Sequence, residues 1–481
     1  MSTSFKSIFK LRFLYRGFRL LWLLSLWVTS AFSQQKTNVL FIVIDDLRPA
    51  LGCYDDPLAS SPNIDKLAAS GTLFTNAFAQ QAVCAPSRAS FMTGRKPDHT
   101  KVWNLATHFR KALPNVVTLP QYFKNNGYYA RQIGKIYHDP SAAQDSISWS
   151  ADELFGVTTN KGKYALASNL AKAPKSAATE SAAVPDSAYI DGMVADAAVR
   201  EIRNMGNKPF FLAIGFRRPH LPFTAPIGYW DRNADKVFRL SPDTAAVANV
   251  PGFSKHNSVE LRGYTDIPDF GPIDKEKATK LIKGYYTSIA FMDDQVGKVL
   301  AELKKSGLDK NTIIVLLSDH GFHLGEHGLW GKTTNSRLDT RVPLIVHTPK
   351  NSRVAKRSDV VVQLVDLYAT LSELCNLAKP ETDGQSFANV IKGLPFTNDG
   401  FAFSQFPDDM KFKDRPAIMG YAVHTREFGY TEWIRLTTNE VVAREFYDYR
   451  QDLSENKNVV ENPVYQKQIS ILSEQIKKYR E

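Results

Sequence analysis

Short unbroken apolar runs along this chain end abruptly in polar or charged residues. Residues 39–44 run into Asp45-Asp46, residues 210–214 lead to Arg217-Arg218-Pro219-His220, and residues 313–317 run into Ser318-Asp319-His320-Gly321. A strand with one wet face would alternate apolar and polar positions, so unbroken runs predict strands covered on both faces, as in a parallel sheet between helices. Sites in such sheets gather beyond the carboxyl ends of the strands, which is where these charged residues fall. Helical periodicity over residues 62–69, 190–205, 276–305 and 362–377 separates the strands, and this alternation predicts an α/β fold. No internal repeat interrupts the pattern.

Three segments depart from it. Residues 1–33 place Lys6, Lys10, Arg12, Arg16 and Arg19 before an apolar stretch at 20–28 and end on Ala31-Phe32-Ser33, the layout of a signal peptide cut before Gln34. The apolar stretch is far short of the roughly 20 residues a spanning helix needs, so the expectation is cleavage and an exported protein, periplasmic or secreted, with no membrane attachment afterwards. Residues 141–187 are rich in Ala, Ser and Lys without a sustained apolar period, and predict a long excursion near the site. After about residue 395 the pattern changes to short β-like runs at 401–406, 418–424 and 430–436 and then a polar terminal helix, which predicts a small α+β subdomain. The expected organisation is a leader at 1–33, a catalytic domain at 34–394 and this subdomain at 395–481.

At 481 residues and 43% hydrophobic content the chain can bury a large core. Its formal charge of +11 overstates the surplus, because five of the cations and no acidic residue lie in the leader, leaving +6 beyond it. That excess suits dispersed, solvated lysines or approach to a polyanion, and does not point to nucleic acid. Three cysteines, Cys53, Cys84 and Cys375, are too few for a disulfide framework, and there is no CxxC or Cys/His cluster to suggest zinc. Cys53 and Cys375 read as buried thiols, with a bond between them left open. Oligomeric state leaves no signature.

Cys84 has a context of its own. It precedes a proline-started helix, Ala85-Pro86-Ser87-Arg88 onward, that should stop at Gly94. Free backbone N–H groups and the helix dipole favour an anion there, and Arg88, one turn on, can add charge-assisted hydrogen bonds. Cys84-Ala85-Pro86-Ser87-Arg88 resembles the C-x-P-S-R signature of the type I sulfatases, the substrate of formylglycine-generating machinery. Four fixed positions arise by chance in a chain this long only about three times in a thousand. The order around it is most similar to the iduronate-2-sulfatase branch of that family: Asp45-Asp46-Leu47-Arg48-Pro49, Gly134-Lys135 with His138, Arg218-Pro219-His220-Leu221-Pro222-Phe223, and Ser318-Asp319-His320-Gly321 through Glu326-His327-Gly328 to Lys332. The likeness runs from about residue 37 to Asp448, and takes in Val365-Asp366-Leu367-Tyr368 and Glu445-Phe446-Tyr447-Asp448.

The resemblance implies an alkaline-phosphatase-like α/β fold and a sulfatase acting on sulfated oligo- or polysaccharides, such as a glycosaminoglycan or an algal polysaccharide like ulvan. It implies that Cys84 becomes formylglycine and that Asp45, Asp46, Asp319 and His320, with the modified Cys84, hold one divalent cation. Oxygen-rich ligation suits calcium first and magnesium second. A sulfate ester is already anionic, so positive charge must gather on its oxygens; the cation, Arg88, Lys135 and Lys332 are its expected sources. By the same resemblance His138 handles the proton of formylglycine's second hydroxyl, while His220, ahead of Lys332, protonates the departing alkoxide.

His99, His108, Arg217, His424 and Arg426 are weaker candidates for touching a sugar carboxylate, since surface or capping roles suit them equally, and His323 and His327 have no expected chemistry. Two rival readings remain. A phosphonate or phosphate monoester hydrolase shares the scaffold, although a two-metal phosphatase would need a second ligand set that the sequence does not offer. A calcium-dependent glycan-binding protein would need none of the proton-transfer residues.

Overall fold

The computed structural model describes residues 35–138, 144–172, 175–349 and 357–481; the expected leader lies outside them. The unit from Asn38 to Glu481 is built on a seven-stranded sheet. Its strands are β1 (Asn38–Ile44), β2 (Thr72–Phe78), β3 (Tyr129–Gly134), β4 (Phe210–Phe216), β5 (Thr312–Ser318), β6 (Arg341–His347) and β7 (Arg357–Gln363). They lie side by side in the order β7-β2-β6-β5-β1-β4-β3. β1 is parallel to both β4 and β5, β3 is parallel to β4 and β7 to β2, and β6 alone runs against its neighbours.

The central position of β1 explains its unbroken apolar run. Leu40, Ile42 and Ile44 enter a core formed with α1 (Pro62–Ala69), while Val39, Phe41 and Val43 enter the core on the other face with α2 (Cys84–Thr93) and α3 (Leu119–Asn125). The first face also receives α4 (Ile190–Asn204) and the long α5 (Lys275–Lys305), and the second receives α6 (Leu367–Leu374). Both faces of the sheet are therefore dry, as the sequence pattern requires.

The helix expected over 362–377 divides in two. Val360, Val361 and Val362 belong to β7, because β-branched side chains suit a pleated strand, and the helix begins at Leu367. Asp366 makes the turn by accepting hydrogen bonds from the backbone N–H groups of Gln363 and Gln385, both at 2.9 Å. The 141–187 excursion contains a short strand, Thr179–Ala182, paired with Phe223–Pro226.

Four further strands, β8 (Ala402–Pro407), β9 (Ile418–His424), β10 (Phe428–Arg435) and β11 (Glu440–Asp448), form an antiparallel meander. Helix α7 (Gln466–Arg480) covers one face of it through Ile469, Leu472 and Ile476. The meander is fastened to the strand ends of the large sheet. Gln405 N–H donates to the Gln80 carbonyl at 2.8 Å, Ser404 Oγ donates to the Ala79 carbonyl at 2.7 Å, and the His424 ring stacks on Phe78.

Candidate active site

Two strand ends supply the carboxylates. β1 ends in Asp45-Asp46, and Asp46 takes a left-handed φ of 63°, which its short polar side chain tolerates. β5 ends in Ser318, whose Oγ has the Ile44 and His320 carbonyls within reach of its one proton and accepts from Leu47 N–H, locking the two strand ends together. Asp319 Oδ1 then accepts from the backbone N–H groups of Asp46 at 3.2 Å and His320 at 3.1 Å. β3 and β4 end on a glycine pair: a Cβ on Gly134, at φ +82°, would lie 2.0 Å from the Gly215 carbonyl oxygen. Only that close approach brings Lys135 alongside the other strand ends.

Helix α2 faces them. It opens at Cys84 itself, with Pro86 in the first turn where no intrahelical N–H is required, and stops at Gly94 in the left-handed conformation. Cys84 Sγ lies 3.3 Å from His320 Nε2 and 3.5 Å from Lys135 Nζ. Burial pushes its thiol up, Lys135 opposes this, and Asp45 and Asp319 add to it. All three cysteines are free thiols.

The structure brings Asp45, Asp46, Cys84, Asp319 and His320 together. Asp46, Cys84 and His320 present ligand atoms within 4.8 Å of one another, as do Asp45, Cys84 and Asp319. Two details suit a cation. His320 Nδ1 faces the Gly321 carbonyl at 3.0 Å, which directs the lone pair of Nε2 to the cluster, and Asp46 Oδ1 is buried without a hydrogen-bond partner among the described residues.

Arg88 is placed otherwise than the sequence suggests. It is fully buried: Nε donates to Asp319 at 2.8 Å, one terminal nitrogen donates to Asp45 at 2.9 Å, and the other to the Lys135 and Ile136 carbonyls at 2.5 and 2.9 Å. Its planar fork is committed to holding two carboxylates, so it faces them rather than a substrate. Lys135 Nζ donates to Asp45 Oδ2 at 2.6 Å and Lys332 Nζ to Asp46 Oδ2 at 2.7 Å. Burial disfavours the Asp45 carboxylate, but Lys135, His220, Arg88 and Lys332 together hold it well below the usual carboxylate range.

His138 and His220 flank a cavity of about 160 Å³ that has Asp45 and Lys135 in its wall. Burial, reinforced by Lys135, pushes His138 down to about 2, so its ring is neutral, and its Nδ1 has no hydrogen-bond partner among the described residues. His220 differs. Its Nδ1 faces the Leu221 carbonyl at 2.6 Å and its Nε2 faces Glu260 Oε1 at 3.1 Å, so the doubly protonated ring is the form that satisfies both.

Glu260 is the residue that sequence reading missed. Its other oxygen lies 2.7 Å from Lys332 Nζ, so one carboxylate bridges both candidate general acids. Lys332 and His220 outweigh burial and hold it well below the usual carboxylate range. Glu260 comes from a four-residue helix, Val259–Arg262, in a polar connection with no motif around it.

The weaker candidates scatter. His99 pairs with Asp383 and Arg426 with Asp359 on the surface, His108 Nδ1 accepts from Arg110 N–H, and His424 is buried against Phe78, pushed down by burial to about 3. Arg217 alone lines the cavity. His323 is held by Asp339 at 2.6 Å.

The sulfatase family profile matches residues 37–377, and a profile described as N-sulphoglucosamine sulphohydrolase, C-terminal, matches residues 325–481. Iduronate 2-sulfatase from Mus musculus is 33% identical over 84% of this chain and 86% of its own. Among solved structures, a 2-O GAG sulfatase superimposes with a TM-score of 0.72 at 23% identity, covering 92% of each chain. The phosphonate monoester hydrolase of Agrobacterium radiobacter superimposes with a TM-score of 0.71 at 21% identity, covering 92% of this chain and 95% of its own. At those identities the two structures speak to the fold, which is the alkaline-phosphatase-like arrangement expected.

Proposed function

Since the chain belongs to the sulfatase family and is a sulfuric ester hydrolase, we propose that it cleaves sulfate esters of uronate-bearing carbohydrates, using a formylglycine made from Cys84 beside one divalent cation. The observation that carries this reading is the position of Cys84 Sγ, at a helix N-terminus between His320 Nε2 and Lys135 Nζ and within the carboxylate cluster. Formylglycine supplies, as its hydrate, one hydroxyl to attack sulfur and a second whose deprotonation releases sulfate. The residues fit a cation held by Asp45, Asp46, Asp319 and His320 Nε2, calcium ahead of magnesium, which would withdraw charge from a sulfate oxygen.

The chain's own residues account for the rest. Arg88 fixes Asp45 and Asp319, so the ligand set is preorganised. Lys135 and Lys332 supply mobile positive charge beside the nucleophile. His138, neutral, accepts a proton at Nδ1, the ring nitrogen left without a partner. His220 gives the proton of Nε2 to the leaving oxygen, and Glu260 positions it and Lys332.

Similarity to iduronate 2-sulfatase supports a glycosaminoglycan or a related sulfated uronate polymer as substrate. Export from the cytoplasm, behind a cleaved leader, belongs to the same reading. The test is mass spectrometry of the peptide spanning Cys84 from the native host, with sulfate release from a panel of sulfated oligosaccharides. A thiol-to-aldehyde mass change with sulfate release is the expected result. Conversion with phosphonate but no sulfate turnover would favour the rival hydrolase, and an unmodified Cys84 would favour a binding protein.

A further inference from the structure

The cavity that holds Asp45, Lys135, His138 and His220 has a second wall, formed by Asn160, Lys163 and Arg217 with Arg218 behind. The charges of the catalytic side are matched: Asp45 by Arg88 and Lys135, Asp46 by Lys332, Glu260 by Lys332 and His220. The second wall is not matched. Asp191 beneath it accepts from the backbone N–H groups of Arg217 and Arg218, both at 2.8 Å, while Asp45 acts on Arg217 and Glu260 on Lys163 without a hydrogen bond or ion pair to either. Lys163 Nζ has no hydrogen bond or ion pair among the described residues, and Arg217 Nε is buried without a partner.

This surplus is built into the wall. The Lys163 carbonyl accepts from Thr224 Oγ1 at 3.2 Å and from Arg218 at 3.4 Å, which fixes its backbone. Arg217 donates its terminal nitrogens to the Thr159 and Gly156 carbonyls, at 2.8 and 2.5 Å, tying the loop that carries Lys163 to the end of β4. Burial first, and then Arg218, Lys175 and Arg217, push Lys163 down to about 8, with Glu260 opposing them. A half-buried ammonium ringed by cations is costly until an anion arrives.

Resting on the reading of this site as a carbohydrate sulfatase, we propose that Lys163 and Arg217 form a second anion subsite, which takes a carboxylate or an additional sulfate of the sugar whose ester is cleaved. A lone sulfate would leave this wall unmatched, so the preferred substrate carries at least two anionic groups close together.

The test uses the full chain carrying Cys84→Ala, so that binding is read without turnover. Three probes are titrated calorimetrically: a monosulfated uronate disaccharide, its carboxyl-reduced counterpart, and a disulfated neutral disaccharide. The acid, the disulfated sugar or both should bind about tenfold more tightly than the carboxyl-reduced sugar, and Lys163→Gln should erase that preference while Lys163→Arg keeps it. Which doubly anionic probe is favoured tells carboxylate from sulfate. Equal binding of all three, or a preference that survives Lys163→Gln, overturns the subsite. Sulfate release by the unsubstituted enzyme separates the two ideas: release without charge preference sinks the subsite alone, and neither release nor binding sinks both.

Discussion

Replacing Glu260 by Gln keeps the shape of the side chain and removes the charge that faces both His220 Nε2, at 3.1 Å, and Lys332 Nζ, at 2.7 Å. A hydrogen bond to a charged group contributes about 1.5–3 kcal/mol. The Glu260 side chain is 31% exposed, so solvent screens part of that. If about 1.4–2.8 kcal/mol is lost where the leaving oxygen takes its proton, kcat falls roughly ten- to a hundredfold. The loss should depend on the leaving group. A sugar alkoxide needs the proton, whereas the phenoxide of an aryl sulfate departs without it, so its kcat should fall by no more than about twofold. The assay is steady-state sulfate release from a sugar sulfate and from 4-nitrophenyl sulfate, with kcat and KM separated for each. Equal losses of kcat on both, or a rise in KM alone, would refute Glu260 as the residue that positions the acid.

The other predictions concern the nucleophile, the ligands, the fold and pH. Cys84→Ala should abolish turnover and leave sugar affinity largely intact in calorimetry; near-normal activity would remove Cys84 from the mechanism. Asp319→Asn should lower bound calcium and activity together in metal analysis of the purified protein, and unchanged metal content would remove Asp319 from the ligand set. Gly134→Ala places a Cβ 2.0 Å from the Gly215 carbonyl oxygen at a left-handed φ of +82°, so it should cost about 3 kcal/mol or more and lower the melting temperature; unaltered melting would contradict the close approach of β3 and β4. His138 sits at about 2 in the folded chain against its ordinary 6.5, so between those values the unfolded chain binds a proton that the folded chain does not, and stability is lost as pH falls through 6.5 toward 2. His138→Gln should therefore flatten the acid side of the melting-temperature profile while cutting kcat, and an unchanged acid slope would show that His138 is already charged.

What was legible in the sequence was whatever is written contiguously. The apolar runs of β1, β4 and β5 showed themselves because both faces of each strand are covered, whereas β2, β3 and β6 carry Asn76, Gln132 and Pro343 within their runs and did not. The residues set at strand ends and in the Cys84 helix could be named because motif and topology put them at one end of the sheet. Arg88 shows the limit: its type and position were readable, but its complete burial between Asp45 and Asp319 depends on packing between distant segments. Glu260 and Lys163 were invisible for a related reason. Each lies in a long polar connection, and nothing local marks a carboxylate that will meet two cations or an ammonium that will meet none.

The division of labour between arginine and lysine follows from the same geometry. Arg88 is a rigid fork at zero exposure, and its donors are committed to two carboxylates and two backbone carbonyls, so breaking any of those bonds leaves a buried charge unmatched. It can only hold the ligands still. Lys135 and Lys332 carry compact charges on flexible stems, and each ammonium has three donors. Lys135 also lies in the cavity wall, where a sulfate oxygen can compete for it. These two lysines match the charges of Asp45 and Asp46. Asp45 and Asp46 would hold a cation, and the two ammonium groups would then be available to a substrate. A fixed arginine at either position would hold its carboxylate too rigidly to permit that change of partner.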